Sequence, residues 1–294
     1  MTGPGTIGVW SAALRFGDPA QARDLAAELE DLGYQALWLP GGDQPGVLDA
    51  AANLLTSTRS ITVATGILNI WFEDPATIGE LVAELDGEHG PRLLLGIGAS
   101  HGPVVGDRYR RPLTAVAEYL DALDTGPRPV SPDRRIVAAL GPKMLDLAAR
   151  RSAGSHPYLV TPEFTRWARE RLGDGPILAP EQTVVLDPDP VSARATARQF
   201  LATYLQLPNY TDNLARSGGF TPEDFTDGGS DRLVDAVFAW GTEDLIRARI
   251  DAHLDAGADH VCVQVAAGWT EFTPEPLRRL APALDLKNRG PADD

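Results

Sequence analysis

Five histidines, two lysines and a set of glycines at the ends of apolar runs are the residues of this 294-residue chain best placed to do chemistry. His101 closes the stretch "RLLLGIGASH", where a buried-looking strand gives up bulk at Gly96, Gly98, Ala99 and Ser100 just before the imidazole. Glycine inside a strand loses packing and backbone entropy, so it marks a bulge, a bend or the close approach of another body. An imidazole titrates near neutrality, which makes His101 the first candidate for moving a proton. His156 in "SHPY" has a similar place, whereas His253 falls in a helical pattern, His260 at the start of a strand and His89 in a helix-to-strand turn. A lone loop histidine is more often hydrogen-bonded or solvated than catalytic, so position alone leaves both readings open for His101 and His156.

A second candidate is "ALGPKMLDLAARR", where a strand ends at Leu140, Gly141 permits close approach, Pro142 suits a first helical position and Lys143 adds a positive charge. Open amides at such a helix start bind anions, phosphate among them. An ordinary turn with a solvated lysine fits the spacing equally well. In "ATGILNIWFEDP" Gly66 and Asn69 interrupt an apolar run, which suits either a bulge at a strand end or a plain end with Asn69 in a turn. Trp10, Trp38 and Trp71 read first as core or rim packing.

Other chemistries find little support. There is no His-x-His, no His-Glu-x-x-His and no dense carboxylate cluster at a strand end, so no metal is expected. A nucleophile elbow and a Walker loop are also absent, and "GIGASHG" lacks the third glycine and the immediate helix of a dinucleotide fingerprint.

The elements that must position these residues alternate. "DPAQARDLAAELEDLG" opens with Asp18 as N-cap, sets Ala22, Leu25, Ala26, Leu29 and Leu32 on one face and ends at Gly33; the strand-like "YQALWLP" follows. Strands are predicted at 6–10, 36–40, 61–67, 93–98, 136–140, 157–160, 183–186 and 260–265, with helices between them. Eight such pairs predict an α/β fold, a (β/α)8 TIM barrel over 1–286, in preference to a doubly wound sheet. Residues 207–233, rich in Gly, Pro, Asn and Asp, read as an insertion between strands 7 and 8, and 287–294 as a polar, frayed tail.

A net charge of −15 argues against a nucleic-acid partner. Cys262 is the single cysteine, which excludes an internal disulfide, and neither a signal-like start nor a spanning apolar run is present, so a cytoplasmic protein without membrane contact is expected. The excess of arginine over lysine suggests a high-GC genome and carries no chemistry.

Taken in order, "GYQALWLP", "TGILNIWFEDPATI", "RLLLGIGASH", "YRRPLTAVAEYLDALD", "LGPKMLDLAARRSAGSHPYLVTPE", "LAPEQTVVL" and "GGSDRLVDAVFAWG" resemble the luciferase-like monooxygenase superfamily. Within it they are similar to actinobacterial oxidoreductases that use the deazaflavin coenzyme F-420. The resemblance implies a barrel with the deazaflavin across its C-terminal mouth and a bulged third strand with a cis Gly66–Ile67 bond and Asn69 beside it. It further implies that Gly98, Ala99 and Ser100 thin the fourth strand so that the ring can approach, and that His101, the catalytic candidate, stands where family members often present an acid/base or polar group. The amides of Gly141, Pro142, Lys143 and Met144 would hold the cofactor phosphate, and Trp10, His156 and Tyr158 would border the substrate.

The chain also departs from the wider family: several relatives place a histidine, aspartate or glutamate at the end of strand two, where "WLPGGDQP" has Pro40 and Gly41, with Asp43 as the nearest substitute. The short "GPVVGDRYRRPL" after His101 implies an open pocket. The expected function is hydride exchange between deazaflavin C5 and a small organic substrate, with a possible homodimer through outer helices. The alternatives are an FMN-dependent monooxygenase, a deazaflavin-binding protein without turnover and a phosphate-handling isomerase or aldolase barrel, the last of which leaves the third-strand motif unexplained.

Overall fold

The computed structural model describes residues 3–288; the end of the polar tail, 289–294, lies outside the described residues. The strands are β1 Ile7–Trp10, β2 Ala36–Leu39, β3 Thr62–Thr65, β4 Leu68–Asn69, β5 Leu93–Gly98, β6 Arg135–Val137, β7 Gly154–Ser155, β8 Ile177–Leu178, β9 Glu181–Val185, β10 Phe238–Trp240 and β11 Val261–Val265. The helices are α1 Ala13–Phe16, α2 Pro19–Leu32, α3 Val47–Leu55, α4 Pro75–His89, α5 Gly102–Val105, α6 Pro112–Thr125 and α7 Pro142–Arg151. They continue as α8 Pro162–Leu172, α9 Pro190–Tyr204, α10 Pro208–Gly218, α11 Asp231–Val237, α12 Glu243–Asp255 and α13 Pro274–Ala283.

All the pairings are parallel, in the order β10-β9-β11-β1-β2-β3-β5-β6-β7-β8, with β4 on β5. Segment 177–185 closes the ring: its first half, β8, pairs with β7, and its second half, β9, pairs with β11. Across the junction Ala179 N donates to Ser155 O at 2.8 Å and Cys262 N donates to Pro180 O at 2.9 Å. The result is a (β/α)8 barrel.

Local chemistry sets each unit. Asp18 accepts from the amides of Ala20 and Gln21 at the start of α2, and Gly33, at φ 99°, ends it in the left-handed conformation that suits glycine. Along β2 the two-residue period sends Leu37 and Leu39 outward against the helices and Ala36 and Trp38 inward. Trp38 fills the barrel because its neighbours Ala64, Ala179 and Cys262 are small, and a Cβ on Gly8 would sit 2.7 Å from Ala36 O.

Three strand expectations change. The run at 157–160 is not a strand: Leu159 has φ 55°, and the pairing residues are the small Gly154 and Ser155 upstream. The strand expected at 136–140 is Arg135–Val137, and its buried Arg135 is held by Asp124 at 2.6 Å. Segment 61–67 breaks into β3 and β4 around Gly66 and Ile67. Residues 207–233 form α10, a 3-10 turn at Pro222–Phe225 and the start of α11, between β9 and β11.

Candidate active site

Side chains at the C-terminal ends of the strands surround a cavity of about 850 Å³. Trp10, Gly66, Ile67, Asn69, Ala99, Ser100, His101, Gly141, Met144, His156 and Tyr158 all line it, whereas Gly98, Pro142 and Lys143 do not. Asp43 is exposed on the wall beside Pro40 and Gly41, where no side chain at the end of β2 carries an acid or base.

The broken third strand forms one wall. The Gly66–Ile67 peptide bond is cis. Trp10 Nε1 donates to Gly66 O at 2.9 Å, and Asn69 Nδ2 donates to Gly42 O at 3.0 Å, so Asn69 ties the bulge to the loop after β2. The bulk missing from β5 serves this break first. A Cβ on Gly96 would lie 1.8 Å from Thr65 O, and one on Gly98 would lie 2.9 Å from the Ile67 side chain. Gly98 therefore admits Ile67, not a ligand, and only Ala99 and Ser100 thin the cavity wall itself.

The start of α7 offers fewer amides than its sequence implies. Pro142 has no N–H, and the amides of Met144 and Leu145 both donate to Gly141 O, at 3.1 and 3.0 Å. Among the described residues the N–H groups of Gly141 and Lys143 donate no hydrogen bond, and a Cβ on Gly141 would meet nothing within 4 Å. The Lys143 side chain is exposed, away from the wall, while Arg216 from α10 donates to Leu140 O at 2.7 Å and brings a guanidinium to the same turn.

Helices α9 and α10 cover the opposite side with residues that sequence reasoning passed over: Phe200, Thr203, Tyr204, Leu207, Asn209 and Tyr210. The four-residue spacing of Phe200 and Tyr204 puts both rings on one face of α9, a signal present in the sequence. The Tyr158 hydroxyl donates to Gln264 Oε1 at 2.9 Å and shares a hydrogen bond of 2.7 Å with Tyr204. Burial raises the phenol pKa of Tyr158, Tyr204 and Tyr210, so the three stay neutral. Below them Glu181 is buried, with Thr183 Oγ1 donating to it at 2.5 Å and Leu159 N at 3.2 Å; desolvation raises its pKa to about 7.

The two candidate histidines differ. His101 Nδ1 meets Asn209 Oδ1 at 2.7 Å, and its ring lies 4.9 Å from that of Tyr210; desolvation lowers its pKa, partly offset by Asn209. His156 is 1% exposed, donates from Nδ1 to Ala179 O at 2.7 Å and has no partner at Nε2. Burial lowers its pKa to about 4, so it stands in the wall as a neutral imidazole. His253, in α12, is held by Thr165 and Gln182 in the core, and His260, just before β11, by Trp38 and Gly5 O; neither lines the cavity. Among the described residues no group of three or more His, Cys, Asp or Glu is placed to hold a metal, and no helix is long and apolar enough to cross a membrane.

Comparison with known proteins gives the same frame. The model of the luciferase-like monooxygenase family matches residues 4–260. A Mycobacterium tuberculosis protein named as a coenzyme F-420-dependent oxidoreductase is 24% identical, over 73% of this chain and 77% of its own. The F-420-dependent tetrahydromethanopterin reductase of Methanopyrus kandleri superposes with a TM-score of 0.73 at 18% identity, over 96% of both chains. The oxygenating component of the 3,6-diketocamphane monooxygenase of Pseudomonas putida, solved with FMN, superposes at 0.66 with 16% identity, over 95% of this chain and 98% of that one.

Proposed function

The chain belongs to the luciferase-like monooxygenase family, and from that membership we propose that it is an oxidoreductase that holds coenzyme F-420 across the barrel mouth and acts on a small organic substrate. The observation that carries the reading is His101: one partly buried imidazole on the wall of a cavity otherwise dominated by aromatic, apolar and small residues. The name of the mycobacterial relative and the cofactor in the name of the Methanopyrus reductase favour the deazaflavin. The FMN-bound camphane enzyme keeps FMN as the competing cofactor.

The residues fit such a group. A cavity of about 850 Å³ has room for a tricyclic ring and a small substrate together. Ala99 and Ser100 leave the β5 end thin, and Gly141 has open space on its Cα and a free N–H at a helix start. When bound, the deazaflavin supplies hydride exchange at C5. The protein supplies the rest: Gly66 and Ile67 brace one face, the Gly141 and Lys143 amides with Arg216 take the phosphate, and the tyrosine wall excludes water. His101 moves the proton that accompanies oxidation or reduction of the substrate.

Titration of the purified protein with coenzyme F-420 and, separately, with FMN, followed by tryptophan fluorescence, tests this. Saturable binding of the deazaflavin with weak FMN binding is expected. The reverse preference makes the protein an FMN-dependent monooxygenase, and binding of neither overturns the cofactor role. Tight deazaflavin binding with no turnover across a broad substrate panel identifies a binding protein instead.

A further inference from the structure

We propose that Asn209 is a positioning residue that fixes His101 in its Nδ1–H tautomer, so that Nε2 meets the cavity as a proton acceptor. The inference rests on the proton-handling role given to His101 above and says which nitrogen does the work. A neutral imidazole carries one proton, and the partner of one nitrogen decides which nitrogen holds it. Asn209 Oδ1 lies 2.7 Å from Nδ1, and a carboxamide oxygen only accepts. The proton therefore sits on Nδ1; among the described residues the hydrogen bond of this ring is the one at Nδ1, and His101 lines the cavity.

Two further features hold the ring there. His101 is the residue before α5, with extended backbone at φ −133°, so its main chain is set by the strand end, while Tyr210 packs against the ring at 4.9 Å. Asn209 is the second residue of α10, an 11-residue helix. Desolvation disfavours a charge on the imidazole and lowers the pKa of His101, so the ring stands neutral beside Asn209. Both Asn209 and Tyr210 come from segment 207–233, so the site is incomplete without it.

The chemistry is that of a base aligned in advance. When a ligand hydroxyl on the cavity side gives up its proton, the O–H bond breaks, its electron pair stays on oxygen and the new N–H bond forms at Nε2. The resulting imidazolium keeps its Nδ1–H on Asn209 Oδ1. If the carboxamide were turned about, its NH2 group would face Nδ1, the proton would move to Nε2 and His101 would meet the ligand as an acid.

Imidazole nitrogen correlations of the 15N-labelled full chain at mildly alkaline pH read the tautomer without cofactor or substrate. The His101 signals are assigned by their loss in His101→Gln. An unprotonated Nε2 is expected in the wild type and in Asn209→Asp, whose carboxylate also accepts. Asn209→Leu is expected to shift the ring toward the Nε2–H form. A wild-type ring protonated at Nε2, or a tautomer unchanged in Asn209→Leu, overturns the inference. If Asn209→Leu does not fold, the wild-type spectrum and Asn209→Asp decide. Loss of deazaflavin binding in the fluorescence titration would sink the proposed function and leave this spectrum untouched.

Discussion

The imidazole of His156 lies on the indole of Trp38, ring centroids 4.3 Å apart and planes 20° from parallel. Trp38 Nε1 in turn donates to His260 Nε2 at 3.0 Å, and His260 Nδ1 donates to Gly5 O at 2.8 Å. A line of neutral aromatic groups thus runs from the cavity to the base of the barrel, and each imidazole in it is neutral because it is buried.

That burial sets a pH dependence. The folded pKa of His156 is about 4 and that of His260 and His253 about 3, against 6.5 for an ordinary histidine. Protons are therefore bound by the unfolded chain before the folded one, and stability falls as pH drops below 6.5 toward 4. For His156 alone the loss is on the order of 3 kcal/mol. Glu181, raised to about 7 from 4.5, acts oppositely: its contribution is lost as pH rises from 4.5 through 7. With three imidazoles against one carboxyl, urea melts should show lower stability at pH 4.5 than at pH 6.5; equal midpoints would mean that the histidines are not buried neutral.

Gly66→Ala should damage the cavity more than the fold. The new Cβ would stand 2.6 Å from Trp10 Nε1 and 3.1 Å from His156 Nε2, so the Trp10 ring must swing out and give up its bond to Gly66 O. Cofactor affinity is expected to fall by about tenfold, as for about 1.4 kcal/mol. Fluorescence titration of the variant measures it.

Gly96→Ala should prevent folding to a stable barrel, because its Cβ would overlap Thr65 O at 1.8 Å, backbone against backbone. The expected cost exceeds the roughly 1–3 kcal/mol of ordinary overpacking. Gly141→Ala, with open space around it, should melt within about 1 kcal/mol of the wild type. Parallel denaturation curves for the two variants separate a structural glycine from one that merely borders the site.

His101→Gln keeps a polar side chain and removes the titrating one. Turnover should drop by roughly 10²–10⁴-fold with cofactor binding retained. Turnover within a factor of about two of the wild type would move the proton transfer to another group.

Lys143→Ala should leave cofactor affinity within about 0.5 kcal/mol, since the side chain is solvent-exposed and off the wall, as expected for a screened surface charge. Arg216→Ala should weaken it more, because that guanidinium is held at Leu140 O beside the free amides. Titrations at two salt concentrations distinguish them.

The alternation of amphipathic helix, glycine and buried run was legible in the sequence, because period and capping are local: Asp18 and Gly33 bound α2 whatever surrounds it. The positions of Trp10, Asn69, Ala99, Ser100 and His101 at the cavity were legible for the same reason, since a barrel directs every strand end to one face. Other features depend on partners remote in the chain. Gly154 and Ser155 pair as a strand because Val137 and Ile177 flank them, and nothing in their own types marks them. The purpose of Gly96 and Gly98 was hidden until Thr65 and Ile67 were seen against them. The partner of His101 lies 108 residues away in a segment whose composition reads only as an insertion. Sequence alone determined which strand ends form the mouth of the barrel, through short-range periodicity. Tertiary structure decided what each one meets there, because a hydrogen bond or a close approach depends on distance in space and not on separation along the chain.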